Sequence, residues 1–291
     1  MSMENLQKLM YGESLPDIFV LFGQPVIGNP TQYMFEMALQ DCHLDGRYLS
    51  IEVSPSDLED AVIGMRAMKF KGAHITIPHK VAVLRFLDEL TEAAKLIGAV
   101  NCIIEEDGKL IGENTDGKGF IQSLGSIMDP KGKKVVILGS GGAARAIAVE
   151  LVLSGVNSIT IVNRTKSRGL ALSDYLNSEL EACSKFIGWD DIYQPHENTD
   201  ILINATSLGL NKPDQIIPID FSKLNKNALI ADVVFNPQHT YFLKEATKHG
   251  FFTLDGLGML VNQGFIAFNL WTGESPDRDV MMCAIKEALS V

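Results

Sequence analysis

The sequence predicts an α/β fold in two units, the second of them a doubly wound parallel sheet. Three observations carry that expectation. Residues 135–168 read as strand, glycine turn, helix and strand in close succession. Short apolar runs recur elsewhere, each followed by a polar or helical connector, which is the rhythm of sheets covered by helices. The chain has 291 residues and 46% hydrophobic side chains, enough for two cores.

The first unit reads in order as follows. Residues 17–22 (DIFVLF) are an apolar strand ended by Gly23, and 32–40 set Met34, Met37 and Ala38 at helical spacing. Residues 48–53 alternate as a strand does, and 56–68 put Leu58, Val62, Met65 and Met68 on one side of a helix. Residues 72–77 form a strand stopped by Pro78, with helical stretches at 81–88 and 91–96. Residues 99–105 and 109–112 make a hairpin across Asp107-Gly108, a pair suited to a tight two-residue turn. A polar, glycine-rich turn is expected over 112–120, and 129–133 (DPKGK) read as a break.

The second unit opens on the buried strand 135–138 (VVIL). Gly139, Gly141 and Ala144 follow at G-x-G-x-x-G/A spacing, then a helix over 143–153 and a strand over 158–162. That context gives the glycine motif its specificity. Gly139 suits the tight turn, and Gly141 lets backbone N–H groups meet a pyrophosphate with no Cβ in the way. The helix N-terminus adds its partial positive charge. At the end of the second strand stand Asn163, Arg164, Thr165, Lys166, Ser167 and Arg168, with no carboxylate to accept a ribose 2′-OH. Arg164 can pair bidentately with a 2′-phosphate and stack on adenine. The cofactor implied is NADP and the domain Rossmann-type; a ligand-free turn and a solvated basic loop are the plain alternatives. Further strands are expected at 201–204, 229–233 and 251–254, and helices at 259–273 and 279–289. These last helices are expected to pack back on the first unit, leaving a cleft between units. The boundaries drawn are 1–115, with 256–291 returning to it, for a substrate-binding and catalytic domain, and 116–255 for the NADP-binding domain.

Composition narrows the partners. A net charge of −11 argues against nucleic acid and anionic membranes. Cys42, Cys102, Cys183 and Cys283 are scattered, with no C-x-x-C, and suggest free thiols in a reducing compartment. No apolar signal core precedes residue 16 and no stretch is long enough to span a bilayer, so a soluble, cytoplasmic protein is expected. No Cys/His cluster has ligand spacing, and no metal is expected.

A nicotinamide enzyme acting on an alcohol must remove a hydroxyl proton as hydride leaves carbon, and without a metal a side chain must take it. Two segments offer candidates: 74–80 (HITIPHK) and 112–120 (GENTDGKGF). A lysine and an aspartate meeting at a cleft can shuttle one proton. Taken alone, Lys80 also fits a solvated lysine at a helix start, and Asp116 a residue capping the next helix.

Seven motifs standing in one order resemble the shikimate/quinate dehydrogenases over about residues 19–273. They are T-I-P-H-K at 76–80, G-A-V-N at 98–101, N-T-D-x-x-G-F at 114–120, G-x-G-G-A at 139–143, N-R-T at 163–165, N-A-T-S-x-G at 204–209 and D-G-L-G-M-L at 255–260, with Gln263-Gly264 just beyond. The resemblance implies an NADP-dependent dehydrogenase interconverting 3-dehydroshikimate and shikimate, or a related ring acid such as quinate. It implies Lys80 and Asp116 as the acid–base pair, and Thr76, Asn101 and Gln263 as binders of ring hydroxyls. Gly139, Ser140, Gly141, Gly142 and Ala143 match the phosphate loop, and Asn163, Arg164 and Thr165 the NADP loop. Thr206 and Ser207 fall beside the cofactor, Gly258 and Met259 on the floor near the nicotinamide. A monomer or homodimer is implied.

The departures cluster on the substrate side. The family's carboxylate-binding S-x-S falls on Asn29-Pro30-Thr31, both of whose polar side chains can still donate to a carboxylate. Phe35 replaces a histidine, His74 an asparagine and Phe235 a tyrosine. Retained chemistry on a changed ligand is one reading. A catalytically weak binding or sensing relative, or a dehydrogenase of another polyhydroxy acid, is the alternative. His74 fits either a donor or pH-dependent charge at the ligand, or a packed strand residue.

Overall fold

The computed structural model describes residues 15–290. The stretch expected to lack a signal core lies almost wholly outside them. Apolar runs form the strands of two sheets. The first holds β1 (Asp17–Gly23), β2 (Gly46–Glu52), β3 (Gly72–Ile75), β4 (Glu89–Leu90), β5 (Cys102–Glu106) and β6 (Lys109–Glu113), in the order β2-β1-β3-β5-β6-β4. β1, β2 and β3 are parallel, and β5 and β6 are the expected hairpin, turning on Asp107 (φ 50°) and Gly108 (φ 83°). Around them stand α1 (Thr31–Asp41), α2 (Leu58–Ala67) and α3 (Glu92–Ile97). Edge strand β2 is blunted by its own helix: Tyr48 N–H donates to Glu36 Oε1 at 2.7 Å and Ser50 N–H to Gln32 Oε1 at 3.0 Å.

The helix expected over 81–88 is a 3₁₀ turn, Ala82–Phe86, followed by β4. Pairing with β6 overrides the helical spacing. Asp88 N–H donates to Leu110 O, and Asp88 Oδ2 accepts the Leu110 N–H at 2.7 Å, which pulls the chain into line with that strand.

The second sheet is parallel throughout: β7 (Lys134–Leu138), β8 (Ser158–Asn163), β9 (Ser184–Gly188), β10 (Ile201–Asn204), β11 (Leu229–Asp232) and β12 (Phe252–Leu254), in the order β12-β11-β10-β7-β8-β9. The order reverses at β7, so the switch point where such sheets bind nucleotides lies beyond Leu138, at Gly139. Four strand residues in succession, Val135 to Leu138, are buried, as a strand covered on both faces requires. Edge strand β9 was not anticipated.

Residues 112–120 are not the turn their glycines suggested. α4 (Asp116–Gly125) begins three residues after β6 ends. A Cβ on Gly117 would sit 2.5 Å from Ala146 O on α5 (Gly142–Leu153), and one on Gly119 would sit 2.7 Å from Gln263 N on α8 (Leu257–Thr272). These glycines let three helix backbones approach one another. Likewise the side chain missing from Gly258 makes room for Ser123 of α4.

α8 belongs to two cores. Met259 joins the apolar cluster around β7 and α5, whereas Leu257, Val261 and Phe268 join the cluster under β1 and α1. α9 (Arg278–Leu289) completes the latter with Met281, Ala284 and Ile285. Four rings close that cluster, Phe35, Tyr48, His74 and Trp271, with centroids 4.6 Å apart for Phe35–Tyr48 and 5.1 Å for Phe35–His74. Truncating Phe35, fully buried, to alanine costs about 3–5 kcal/mol. No helix of the described residues is long and apolar enough to cross a membrane.

Candidate active site

β3 ends at Ile75, and the chain turns tightly, His79 N–H donating to Thr76 O at 2.9 Å. His79 is buried, with Nε2 2.8 Å from Val53 O. That fixed turn delivers Lys80 to the mouth of the sheet. On the far side of the hairpin, Asn114 Oδ1 accepts the Asp116 N–H at 3.1 Å, and Asn114 Nδ2 donates to Ala99 O at 3.0 Å, which sets the first turn of α4. Lys80 Nζ then donates to Asp116 Oδ2 at 2.6 Å, with the aspartate side chain only 11% exposed.

Asp116 is held from its other oxygen. Asn101 Nδ2 lies 3.0 Å from Asp116 Oδ1, 2.9 Å from Thr115 Oγ1 and 3.3 Å from Gln263 Oε1. Asn101 Oδ1 accepts the Thr115 N–H at 2.7 Å. Lys80, Asn101, Asp116 and Gln263, four residues singled out from sequence, therefore meet in one network built from four separate parts of the chain. Asn114 and Thr115 belong to it as positioning groups; the N-T-D motif contained them, but nothing local distinguished their part. Thr76 lies half-buried at the same end of β3, beside Gly23. Asn29 and Thr31 open α1, where Asn29 Oδ1 accepts the Thr31 N–H at 3.0 Å. Among the described residues neither bonds to the Lys80–Asp116 network.

His74 is a packed residue. It is 4% exposed, its Nδ1 lies 2.7 Å from the Tyr48 hydroxyl, and its Nε2 has no partner. Burial, and secondarily the Lys80 ammonium, push its pKa down to about 3, so it stays neutral. Phe35 packs edge-on against it, and Phe235 packs on the same cluster from the second unit.

The nucleotide half fits a dinucleotide. Gly139 takes φ +107°, with Thr206 Cγ2 3.0 Å from where its Cβ would be. Thr206 Oγ1 donates to Asn204 Oδ1 at 2.7 Å, which holds the 205–207 segment against the loop, and Ser207 follows. A Cβ on Gly141 or Gly142 would meet nothing within 4 Å, and no side chain caps α5, so its first N–H groups are free for a phosphate. Ser140 and Ala143 complete the loop. Beyond β8, Asn163 Nδ2 donates to Thr165 O at 2.9 Å, a local brace that leaves Arg164 exposed ahead of α6 (Lys166–Leu180). At the end of β11, Asp232 is buried and accepts from Asn204 Nδ2 at 2.8 Å and from the hydroxyl of Thr240, the N-cap of α7 (Tyr241–Lys248), at 2.7 Å; desolvation outweighs these bonds and raises its pKa to about 6.

A glycine-turned nucleotide sheet joined to a half-buried lysine–aspartate pair defines a nicotinamide-dependent oxidoreductase acting on a CH–OH group. Three family models match in succession: "Shikimate dehydrogenase substrate binding domain" over 21–103, "Shikimate / quinate 5-dehydrogenase" over 123–211 and "Shikimate 5'-dehydrogenase C-terminal domain" over 256–286. The chain is 39% identical to the NADP(+) shikimate dehydrogenase of Desulforamulus reducens, over 90% of this chain and 91% of that one. Among solved structures it resembles a 5-ketofructose reductase of Gluconobacter sp. strain CHM43 (47% identity, TM-score 0.90, 94% and 98% covered). It also resembles a Thermus thermophilus shikimate 5-dehydrogenase in complex with NADP(H) and shikimate (33%, 0.83, 94% and 100%). The chain belongs to the shikimate/quinate dehydrogenase family.

Proposed function

We propose that the protein is an NADP-dependent dehydrogenase interconverting 3-dehydroshikimate and shikimate, or a closely related ring acid such as quinate. The observation that carries this reading is the 2.6 Å Lys80–Asp116 pair, held by Asn101 beside Gln263. Gly139 to Ala143 would hold the pyrophosphate, Asn163, Arg164 and Thr165 the 2′-phosphate, and Thr206, Ser207, Gly258 and Met259 the nicotinamide end. When bound, the nicotinamide gives or takes the hydride at a ring carbinol carbon. Lys80 Nζ gives a proton to the carbonyl oxygen on reduction and takes it from the hydroxyl on oxidation. Asp116 keeps the ammonium aimed. Thr76, Asn101 and Gln263 hold ring hydroxyls, and Asn29 Nδ2 with the Thr31 hydroxyl the carboxylate. Cytoplasmic action fits the four unpaired thiols, and the protein acts as a monomer or homodimer.

A second reading has a specific basis. Phe35 and Phe235, where the resemblance places a histidine and a tyrosine, pack in the apolar cluster and offer no polar group, and Asn29 Oδ1 is engaged by its own loop. Fewer polar groups for a carboxylate favour a neutral ligand, and the 47%-identical structure is named a 5-ketofructose reductase. A panel of shikimate, quinate, 3-dehydroshikimate and 5-ketofructose, each with NADP(H) and NAD(H), separates the readings. Turnover of the ring acids supports the first; turnover of the ketose alone replaces it with the second. Inactivity on all, with tight NADP binding, makes the protein a binder. Rates with NAD equal to those with NADP overturn the cofactor assignment.

A further inference from the structure

One arginine joins the two units and takes no part in the site described above. Arg145 stands in the first turn of α5, where its N–H donates to Gly141 O at 2.9 Å. Its side chain leaves the phosphate loop and crosses to α3 of the first unit. The guanidinium carbon is 4.1 Å from the centre of the Tyr175 ring, and a Cβ built on Gly98 would sit 3.4 Å from Nη2 and 3.5 Å from Nε. Nε is buried without a hydrogen-bond partner. The planar group is thus held by stacking and shape against a ring and a bare glycine, a slot that an ammonium cannot fill in the same way. Tyr175, on α6, adds the second tie: its hydroxyl donates to Leu96 O at 2.6 Å, satisfying a carbonyl at the end of α3.

What these two side chains grip is the segment that builds the reacting pair. Gly98 ends α3 at φ +66°. Ala99 O accepts from Asn114 Nδ2 at 3.0 Å, Val100 N–H donates to Lys80 O at 2.8 Å, and Asn101 Nδ2 donates to Asp116 Oδ1 at 3.0 Å. Four consecutive residues therefore run from the guanidinium to both members of the pair.

We propose that Arg145, with Tyr175, is a positioning residue: it clamps the end of α3 and so fixes the 98–101 segment that sets Lys80 against Asp116. The inference rests on the dehydrogenase reading only for its kinetic consequence. Because Arg145 sits one turn from Gly141, the clamp also ties the site that would hold the cofactor's pyrophosphate to the proton-transfer pair. Gly98 is part of the device, since its φ of +66° would strain any side chain placed there.

The test uses the full chain and three variants, Arg145→Met, Arg145→Lys and Tyr175→Phe. Hydrogen exchange of the 98–101 amides is measured beside kcat, KM and the NADPH Kd by fluorescence. In Arg145→Met, exchange over 98–101 accelerates about tenfold or more and kcat falls by about tenfold or more, with KM and NADPH Kd within about threefold. Arg145→Lys, which keeps a cation over the ring, recovers part of both. Exchange at 98–101 equal to the parent's in Arg145→Met overturns the inference. So does weakened NADPH binding with unchanged kcat, which makes Arg145 a phosphate ligand. If the parent shows no NADP-linked turnover, the functional reading fails while the exchange comparison still decides the clamp. Should Arg145→Met not fold, Tyr175→Phe keeps the ring and loses only the bond to Leu96 O; faster exchange confined to 98–101 supports the clamp, and unchanged exchange there refutes it.

Discussion

A lone aspartate beside a lysine is common; an aspartate with both oxygens assigned is not a casual pairing. Asp116 Oδ2 takes the Lys80 ammonium and Oδ1 the Asn101 amide, so the carboxylate cannot swing away without breaking a buried bond. Replacing Lys80 by alanine removes the proton carrier and leaves that brace and the phosphate loop in place. The expected result is a loss of about 10²–10⁴ in kcat, with NADPH affinity within about threefold of the parent. Steady-state rates and NADPH fluorescence check it, and a variant retaining substantial turnover would end the assignment. His74 shows the limit of reading single residues. Its type fits a ligand donor or a core residue equally well in the sequence. Only the 2.7 Å approach of the Tyr48 hydroxyl and the packing of Phe35 and Trp271 decide for the core.

Among elements, the decisive contact is α4 against α8. A Cβ at Gly119 would fall 2.7 Å from Gln263 N and 2.9 Å from Met259 O, both rigid backbone atoms. Gly119→Ala must push α8 outward, at a cost of about 1–3 kcal/mol. The same movement draws Gln263 from Thr115 and Asn101, so KM should rise as the melting temperature falls. Gly125→Ala, in the same helix with open space around it, serves as the control and should change stability by less than about 1 kcal/mol. Equal behaviour of the two variants would deny the close approach its role. The glycines also explain why this helix was not legible: locally, glycine reads as a turn, and the reason for Gly119 is a neighbour more than a hundred residues away. β9 (SKFIG) was missed because an edge strand half-open to solvent needs no apolar run. By contrast β7, β10 and β11, buried on both faces, announce themselves by apolar runs, four residues in β7 and three each in β10 and β11. Four members of the site network were legible because their motifs keep a fixed order, whereas the Arg145–Tyr175 clamp joins helices in space and leaves no local pattern.

Across the whole molecule, two buried titratable groups lie in different units and answer acid with opposite signs. In the first unit His74 has its pKa lowered from 6.5 to about 3. Between those values the unfolded chain binds more protons than the folded one, so this contribution to stability is lost as pH falls through the window. At about 1.4 kcal/mol per pH unit, roughly 2 kcal/mol goes between pH 6.5 and 5. In the second unit Asp232 has its pKa raised from 3.8 to about 6. There the folded chain binds more protons, so stability is gained as pH falls from 6 towards 4, on the order of 1 kcal/mol of it by pH 5. The two oppose each other in the parent, and α8, packed in both cores, obliges them to be felt in one molecule. Removing either should expose the other. His74→Gln keeps a polar partner for Tyr48 and should lose about 2 kcal/mol less than the parent between pH 6.5 and 5, while Asp232→Asn should lose about 1 kcal/mol more. Urea midpoints at the two pH values measure both differences. Parallel pH slopes for the parent and both variants would mean that neither group is held, buried, away from its ordinary ionisation.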